Sequence, residues 1–527
     1  MLSEAFSLFF RPALVLVALY VSYLVLLRIR RAFEVRRLAA AQGCGPTVRW
    51  TTYDPIFGVD YIWKIYKDYS AHRFLQATCD RFAKMGTNTM CISTMVGAPT
   101  ISTIEPENLK TILSTKFKDF NIDHMRKEGL KSIMGEGIFS SDGQFWQHSR
   151  ALLRPTFARA ELDDPVFLEA HAQDLMKAIA AESEGGKVID LQPLFSSASL
   201  DVITEFLFGE SARSLDPDKR KSKDGNKTEA EDFFNAFSYI VRSINGQDSK
   251  YGALSMFLPD FDFKKNKKIM DTYVDKIIEN AIMDEKNSGS MDDSHKRHTF
   301  LSDIVKSTQD RPRLRAEFLN VLLAGRDTTE SFLSGLFFML SQRPEIFMKL
   351  QQEIDSSGIP LTPSFSQLKS LPYLRACLNE TQRLYPSAPE NDRTAINDTT
   401  LPLGGGPDGK SPVFVKKGST MHWSVFAMHR RKDLFGEDAE EFRPERWIDG
   451  PNGEKGLRTS WEYIPFNGGP RTCIGQQFAL MEVSYLTVRL VRECAKIEAL
   501  EKKQWEERAT IVATVNGGVK VRVTLRK

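Results

Sequence analysis

No Cys-x-x-Cys pair occurs in the 527 residues, and the six cysteines, Cys44, Cys79, Cys91, Cys377, Cys473 and Cys494, lie far apart. That spacing offers no structural zinc motif. So few cysteines in so long a chain point to a reducing compartment, not to a disulfide scaffold. Charge of neither sign prevails: the net is +3, with 26% charged residues. Nucleic acid is therefore not the expected main partner. No repeat of about 20–50 residues recurs, which excludes a solenoid or propeller. After the N-terminus there is no second apolar run of about 18 residues, so at most one membrane span is assigned. What remains is a folded chain, 42% hydrophobic, long enough for one large domain or several ordinary ones.

The one long apolar run is Ala5 to Leu27, with Arg11 its only charge. At about 1.5 Å per residue it would span a bilayer core of about 30 Å. Arg28, Arg30, Arg31, Arg36 and Arg37 follow it. Basic residues on that side favour the cytoplasm, so the bulk of the chain is expected to face the cytosol. A cleaved signal peptide would carry its basic residues before the apolar run instead. Gly43-Cys44-Gly45-Pro46 then breaks the pattern. The expected division is an anchor with its basic flank over residues 1–36 and a single catalytic domain over 37–527.

Helical periodicity dominates the middle, with helices expected over Arg313–Ser341, Arg343–Asp355 and Tyr373–Leu384. Strand signals are short: Thr100–Ile104, Val413–Val415 and Thr510–Leu525, the last with a hairpin turn at Asn516-Gly517-Gly518. Polar loops are expected over Ser211–Glu231 and Glu285–His298. The fold class is mainly α with a smaller β portion.

Several stretches carry chemistry. In LNVLLAGRDTTESFLSGLFFML a buried helix is interrupted by Gly325 and by the polar Arg326, Asp327, Thr328, Thr329 and Glu330. Such local violations gather at functional sites, although a wetted helix face would read the same way. Glu380 and Arg383 share a helix face and can pair, and Arg446 in FRPERW could complete a network with them. Trp146 and Arg150, four apart, could together bind a carboxylate through an indole N–H and a guanidinium. Cys473 stands in FNGGPRTCIGQQFA, just before an expected helix, whose N-terminus would favour a thiolate. Gly468, Gly469 and Gly475 leave room for a flat ligand, Arg471 could reach an anionic edge of it, and Phe466 could cover the sulfur. Each motif alone also has a purely structural reading.

Together, and in this order, Trp146-x-x-x-Arg150, Ala324-Gly325-x-Asp327-Thr328-Thr329, Glu380-x-x-Arg383, Pro444-x-Arg446 and Phe466-x-x-Gly469-x-Arg471-x-Cys473-x-Gly475 resemble the haem-thiolate monooxygenases of the cytochrome P-450 superfamily. The resemblance covers essentially the whole chain. It implies haem b with Cys473 as axial ligand to the iron. It implies Trp146, Arg150, Arg393 and Arg471 on the haem propionates, and Asp327 and Thr328 as the groups delivering protons during dioxygen activation. Ala324 and Gly325 would open the dioxygen groove, and Glu380, Arg383 and Arg446 would form a structural network. No flavin- or nicotinamide-binding stretch is left over, so electrons are expected from NADPH through a separate membrane-bound flavoprotein reductase. The implied location is the endoplasmic reticulum membrane, single pass, with the catalytic domain in the cytosol.

The wording of these motifs looks like the fungal alkane- and fatty-acid-hydroxylase group, with Glu330 a departure where a small residue is common. The expected reaction is hydroxylation of a fatty acid or n-alkane chain. Alternatives are oxidation of a polyketide, terpenoid or fatty-acid-derived intermediate of fungal secondary metabolism, and an O2-independent haem isomerase or dehydratase.

Overall fold

The computed structural model describes residues 2–54, 56–94, 98–160, 166–216, 229–243, 261–287, 299–450, 453, 455–509 and 511–526. The expected polar loops fall partly outside these residues, at 217–228 and 288–298. The chain divides into two compact units.

The first unit joins Met1–Lys67, Cys79–Asn121 and Asp392–Trp423. It opens with a helix, Leu2–Ala41, whose backbone includes the expected span Ala5–Leu27. Most side chains of that span lie outside the described residues. Among the described residues, no helix is long and apolar enough to cross a membrane. The sheet of this unit runs Val48–Trp50, Thr89–Ile92, Thr100–Thr103, Thr420–Ser424, Glu390–Ala395, Phe120–Asn121. Thr100–Thr103 lies antiparallel to Thr89–Ile92 and parallel to Thr420–Ser424, with Ile101 opposite Met421. Thr399–Gly405 and Ser411–Val415 form a separate antiparallel pair. Gly45 is wedged against that pair: a Cβ there would lie 2.3 Å from the Gly406 nitrogen.

The second unit is largely helical. Its axis is Arg311–Gln342, capped by the Asp310 side chain on the Arg313 amide with Pro312 in the first turn. Pro at the first turn costs no helical hydrogen bond. Arg343 ends this helix, and Pro344–Ser356 begins directly after it. The helices Leu191–Phe208 and Gln476–Glu493 both pack on the axis. At Gly325 the approach to Leu191–Phe208 leaves no room for a side chain: a Cβ would stand 2.5 Å from the Cδ1 of Ile203.

The C-terminus departs from expectation. Glu507–Ala509 pairs with Ala513–Val515, so the hairpin precedes the Asn516-Gly517-Gly518 turn. That turn sends the chain to another sheet, where Lys520–Leu525 pairs with Cys494–Ala499 and Val188–Asp190. Gly517 and Gly518 both have positive φ, and a Cβ on Gly518 would meet the Asp190 carboxylate at 2.0 Å. The turn glycines were legible as a turn, but not the two strands that flank Lys520–Leu525, of which Val188–Asp190 is distant in sequence.

Candidate active site

The loop before Gln476–Glu493 shapes itself around Cys473. Asn467 and Gly469 take positive φ, of 62° and 63°. The Phe466 carbonyl accepts the Cys473 amide at 2.9 Å, and the Gly469 carbonyl accepts the Thr472 amide at 3.0 Å. Gly468 and Gly475 face protein: a Cβ would come within 2.6 Å of the Trp461 ring and 3.3 Å of the Phe157 ring, respectively. Their small size serves the loop's own packing as well as any ligand.

Cys473 combines two properties. Its side chain is accessible by area, yet dense surroundings push its thiol up, with the Gly475 amide and Arg150 pulling the other way. Accessible area amid crowded surroundings places Cys473 at the edge of an opening, not in solid packing. The expected lowering by the helix N-terminus is thus outweighed by desolvation. A bound metal would reverse this, since a coordinating thiol is deprotonated. The same accessible-but-enclosed character recurs on Arg311–Gln342. Its residues Leu314–Ser341 are buried apart from Arg315, Ala324, Gly325, Arg326, Asp327, Thr328 and Glu330. The polar fault read from sequence is where the interior opens.

The guanidinium of Arg471 stands 4.3 Å from the centre of the buried Trp146 ring. It donates to Asp142 Oδ1 at 2.8 Å and to the Ser141 carbonyl at 2.9 Å. Burial lowers it to about 10 despite Asp142. Arg150 lies within electrostatic reach of the Cys473 sulfur and is itself lowered mainly by burial. The structure therefore gathers Trp146, Arg150, Arg471 and Cys473. Arg393 belongs to the other unit, on Glu390–Ala395, with its guanidinium 5.6 Å from the Trp423 ring centre.

On the axis helix, Thr328 Oγ1 donates to the Ala324 carbonyl at 2.6 Å. Arg326 donates to Ser238 Oγ at 3.0 Å and Ser196 Oγ at 3.5 Å, and its Nε lies 3.7 Å from Asp327 Oδ1. Burial raises the Asp327 carboxyl, opposed by Arg326 and Arg242. Glu330 is raised to about 7 by burial and by Asp327, with Arg326, Ser196 and Arg508 opposing.

The expected network forms in full and is larger than its three residues. Arg383 grips Glu380 through Nε and Nη2, both at 2.8 Å. Arg446 Nε donates to Glu380 Oε1 at 2.9 Å, and Trp447 Nε1 to Oε2 at 2.9 Å. The spare donors of Arg383 reach the carbonyls of His429, Ala439 and Glu441. His429 was not foreseen. Its Nδ1 donates to the Arg383 carbonyl at 3.2 Å, and its Nε2 accepts the Ile464 amide at 3.2 Å. Burial pushes its ring down to about 3, so it stays neutral in that tautomer. Through His429 the network grips the strip that leads into the Cys473 loop. No local spacing in AMHRRK would have revealed this, nor the Asp142 partner of Arg471.

An accessible thiol, a guanidinium beside it and a second guanidinium stacked on an indole fit the flat, anionic-edged, thiolate-held ring that the resemblance implies. Comparison with known proteins agrees. The family described as Cytochrome P450 matches residues 61–519. The chain is 41% identical to a cytochrome P450 monooxygenase, himC, of Aspergillus japonicus, over 92% of this chain and 84% of that relative. It is 37% identical to cytochrome P450 monooxygenase fsdH of Fusarium heterosporum, over 95% and 86%. It is 43% identical to cytochrome P450 52A1 of Candida tropicalis, over 77% and 74%. The chain belongs to the cytochrome P450 family, whose haem-thiolate members are oxidoreductases that incorporate oxygen from O2.

Proposed function

We propose that this chain is a membrane-anchored monooxygenase that hydroxylates a long aliphatic chain, a fatty acid or n-alkane, with electrons from NADPH through a separate flavoprotein reductase. The observation that carries the chemistry is the Cys473 thiol, enclosed yet accessible, with Arg150 beside it. Cys473 Sγ would ligate the haem iron. Trp146, Arg150 and Arg471 would hold the propionates, Arg471 already oriented by Asp142. Arg393 is retained as a further propionate partner on the resemblance alone. Haem, when bound, supplies O2 activation and the oxidising power to attack an unactivated C–H bond, with thiolate ligation favouring O–O cleavage.

The protein's own part is proton handling and positioning. Burial raises the Asp327 carboxyl above its ordinary range, which favours the protonated form that a proton donor needs. Thr328 Oγ1 can pass that proton on when it releases the Ala324 carbonyl. Ala324 leaves the opening beside Thr328 without a bulky side chain. The Glu380–Arg383–Arg446 network fixes the segment that presents the sulfur.

Anchoring through Ala5–Leu27 in the endoplasmic reticulum membrane, with the rest cytosolic, completes the proposal. The arginines behind the span support that orientation, and an apolar substrate partitions into the same membrane. A second reading, oxidation of a more polar biosynthetic intermediate, is favoured by the charged Arg326–Asp327–Glu330 group beside the opening. Asp327 serves proton delivery with either substrate, but Glu330 has no part in binding an aliphatic chain.

The test is turnover. Membranes bearing the protein and a fungal reductase are given NADPH with fatty acids or n-alkanes of graded length, and products are read by mass spectrometry. Chain-end oxygenation is expected, together with loss of both product and the thiolate-type reduced-CO spectrum in Cys473→Ala. An intact spectrum in that variant would overturn the ligand assignment. An intact wild-type spectrum without fatty-acid or alkane product would move the substrate to the second reading.

A further inference from the structure

Ser331 departs from the habit of hydroxyls in this protein's helices. A Ser or Thr inside a helix commonly turns back on the carbonyl one turn earlier. Thr204 does so on Leu200, Thr328 on Ala324 and Thr381 on Cys377, at 2.6–2.8 Å. Ser331, buried one turn beyond Thr328 on the axis helix, sends its proton to another element. Its Oγ donates to the Ala513 carbonyl at 2.6 Å. Ala513–Val515 forms with Glu507–Ala509 a separate two-stranded sheet. A hairpin of that size is marginal by itself and takes its place from what it is tied to.

Both backbone polar groups of Ala513 reach outside the hairpin. The carbonyl accepts from Ser331, and the amide donates to the Ser387 carbonyl at 3.1 Å. Ser387 closes the circuit, because its Oγ donates to the Thr328 carbonyl at 3.1 Å. Gln382 fixes that direction. Its Nε2 donates to Ser387 Oγ at 3.4 Å, which leaves the hydroxyl proton for Thr328. Its Oε1 accepts the Ser387 amide at 3.4 Å. Gln382 is buried and stands between Glu380 and Arg383 in the sequence, so the tie shares a helix with the ion-pair network.

Three strips distant in sequence are thus fastened together beside Thr328. Next to each tie stands a residue with accessible area. Ala388 is exposed between buried Ser387 and Pro389, and Thr514 is half-buried between buried Ala513 and Val515. Ala324 and Thr328 show the same accessible area on the axis helix. We propose that Ser331 and Ser387 are positioning residues: they hold the hairpin and residues 387–389 against the axis helix and so set the width of the opening beside Thr328. Second-layer hydrogen bonds of this kind fix the geometry of a site without touching its substrate. Width decides which carbon of a chain is oxidised. A narrow opening admits the chain end, and a wider one lets the chain fold back and present an inner carbon. This regiochemical consequence rests on the hydroxylase reading above; the clamp does not.

The test uses the full-length holoenzyme and two readouts. Imidazole and phenylimidazole are titrated against the haem absorption band, which measures room at the opening without any substrate. Turnover of palmitic acid with reductase and NADPH gives the ratio of chain-end to inner-carbon products. In Ser331→Ala and Ser387→Ala, phenylimidazole should gain several-fold in affinity relative to imidazole, and the chain-end share should fall several-fold. Ser331→Thr keeps the hydroxyl and should return both ratios toward wild type, a rescue that general loosening would not show. Unchanged azole selectivity in variants with an intact reduced-CO spectrum would overturn the clamp. Loss of that spectrum in both alanine variants would also overturn it, because the serines would then serve the fold alone. A shifted azole ratio with unchanged products would overturn control of the carbon oxidised. A shifted azole ratio with no palmitate product from the wild type would sink the fatty-acid reading and leave the clamp standing.

Discussion

Glu380 has no exposure at all, yet it answers two guanidiniums, an indole and the Arg443 amide. Removing its charge leaves the buried Arg383 without a counterion and Arg446 with Asp438 alone, 3.3 Å away, a loss of about 3–5 kcal/mol. Glu380→Gln is therefore expected to lower the midpoint of thermal unfolding and to impair haem retention; an unchanged midpoint would show that the carbonyls around Arg383 suffice. Glu330 carries a different liability. Its folded pKa, about 7, stands above the ordinary 4.5. Below the ordinary value both folded and unfolded forms are protonated, and the group is neutral to stability. As pH rises toward 7 the unfolded form ionises first, and stability falls by up to about 3 kcal/mol, then levels off. Glu507, also raised to about 7 by burial, acts in the same direction. Unfolding scans from pH 5 to about 8 should therefore show declining stability, and Glu330→Gln should remove part of the slope. An identical slope would place the charge elsewhere. At this scale the sequence announced Cys473, Trp146, Arg471 and Glu380, because each sits in a spaced motif. It was silent on His429, Trp447 and Asp142, whose partners lie far along the chain.

The helices expected over Arg313–Ser341, Arg343–Asp355 and Tyr373–Leu384 appear as Arg311–Gln342, Pro344–Ser356 and Pro372–Leu384. Apolar periodicity and proline placement decide such elements locally, so they were legible. The partner of Lys520–Leu525 was not, because strand pairing is settled by distant residues. The glycine in the axis helix has the same dual nature. Gly325 was readable as a helix fault, but the side chain that excludes a Cβ there, Ile203, lies on another helix. Ala would gain up to about 1 kcal/mol of helix propensity, against about 1–3 kcal/mol of overpacking. Gly325→Ala is expected to destabilise the protein, and Ile203→Ala, itself costly in the core, to cost less in the Gly325→Ala background than in the wild type. Additive losses in the double variant would refute the clash.

For the molecule as a whole, the mainly helical fold with minor sheet was legible, whereas the weaving of the first unit from three separate segments was not. Within that unit the N-terminal helix meets Ser411–Val415 and offers a pair between Glu34 and Lys416 at 3.6 Å. Exposed pairs of this kind contribute under about 1 kcal/mol. Firmer links begin later, at the Gly45 amide on the Pro412 carbonyl and the Gly406 amide on the Pro46 carbonyl. Deleting residues 1–36 is therefore expected to weaken membrane sedimentation while leaving the reduced-CO spectrum intact. Loss of haem on truncation would make the N-terminal helix part of the fold.

Those three segments also set a timetable for synthesis. Thr100–Thr103 lies in the sheet beside Thr420–Ser424, and a ribosome adding about 5–20 residues per second needs roughly 16 seconds to a minute to travel between them. Throughout that interval a finished strand waits with an open edge, the kind of surface that recruits stray chains. The helix Leu2–Ala41 leaves the ribosome before either strand, and the sheet is completed only once Thr420–Ser424 has followed.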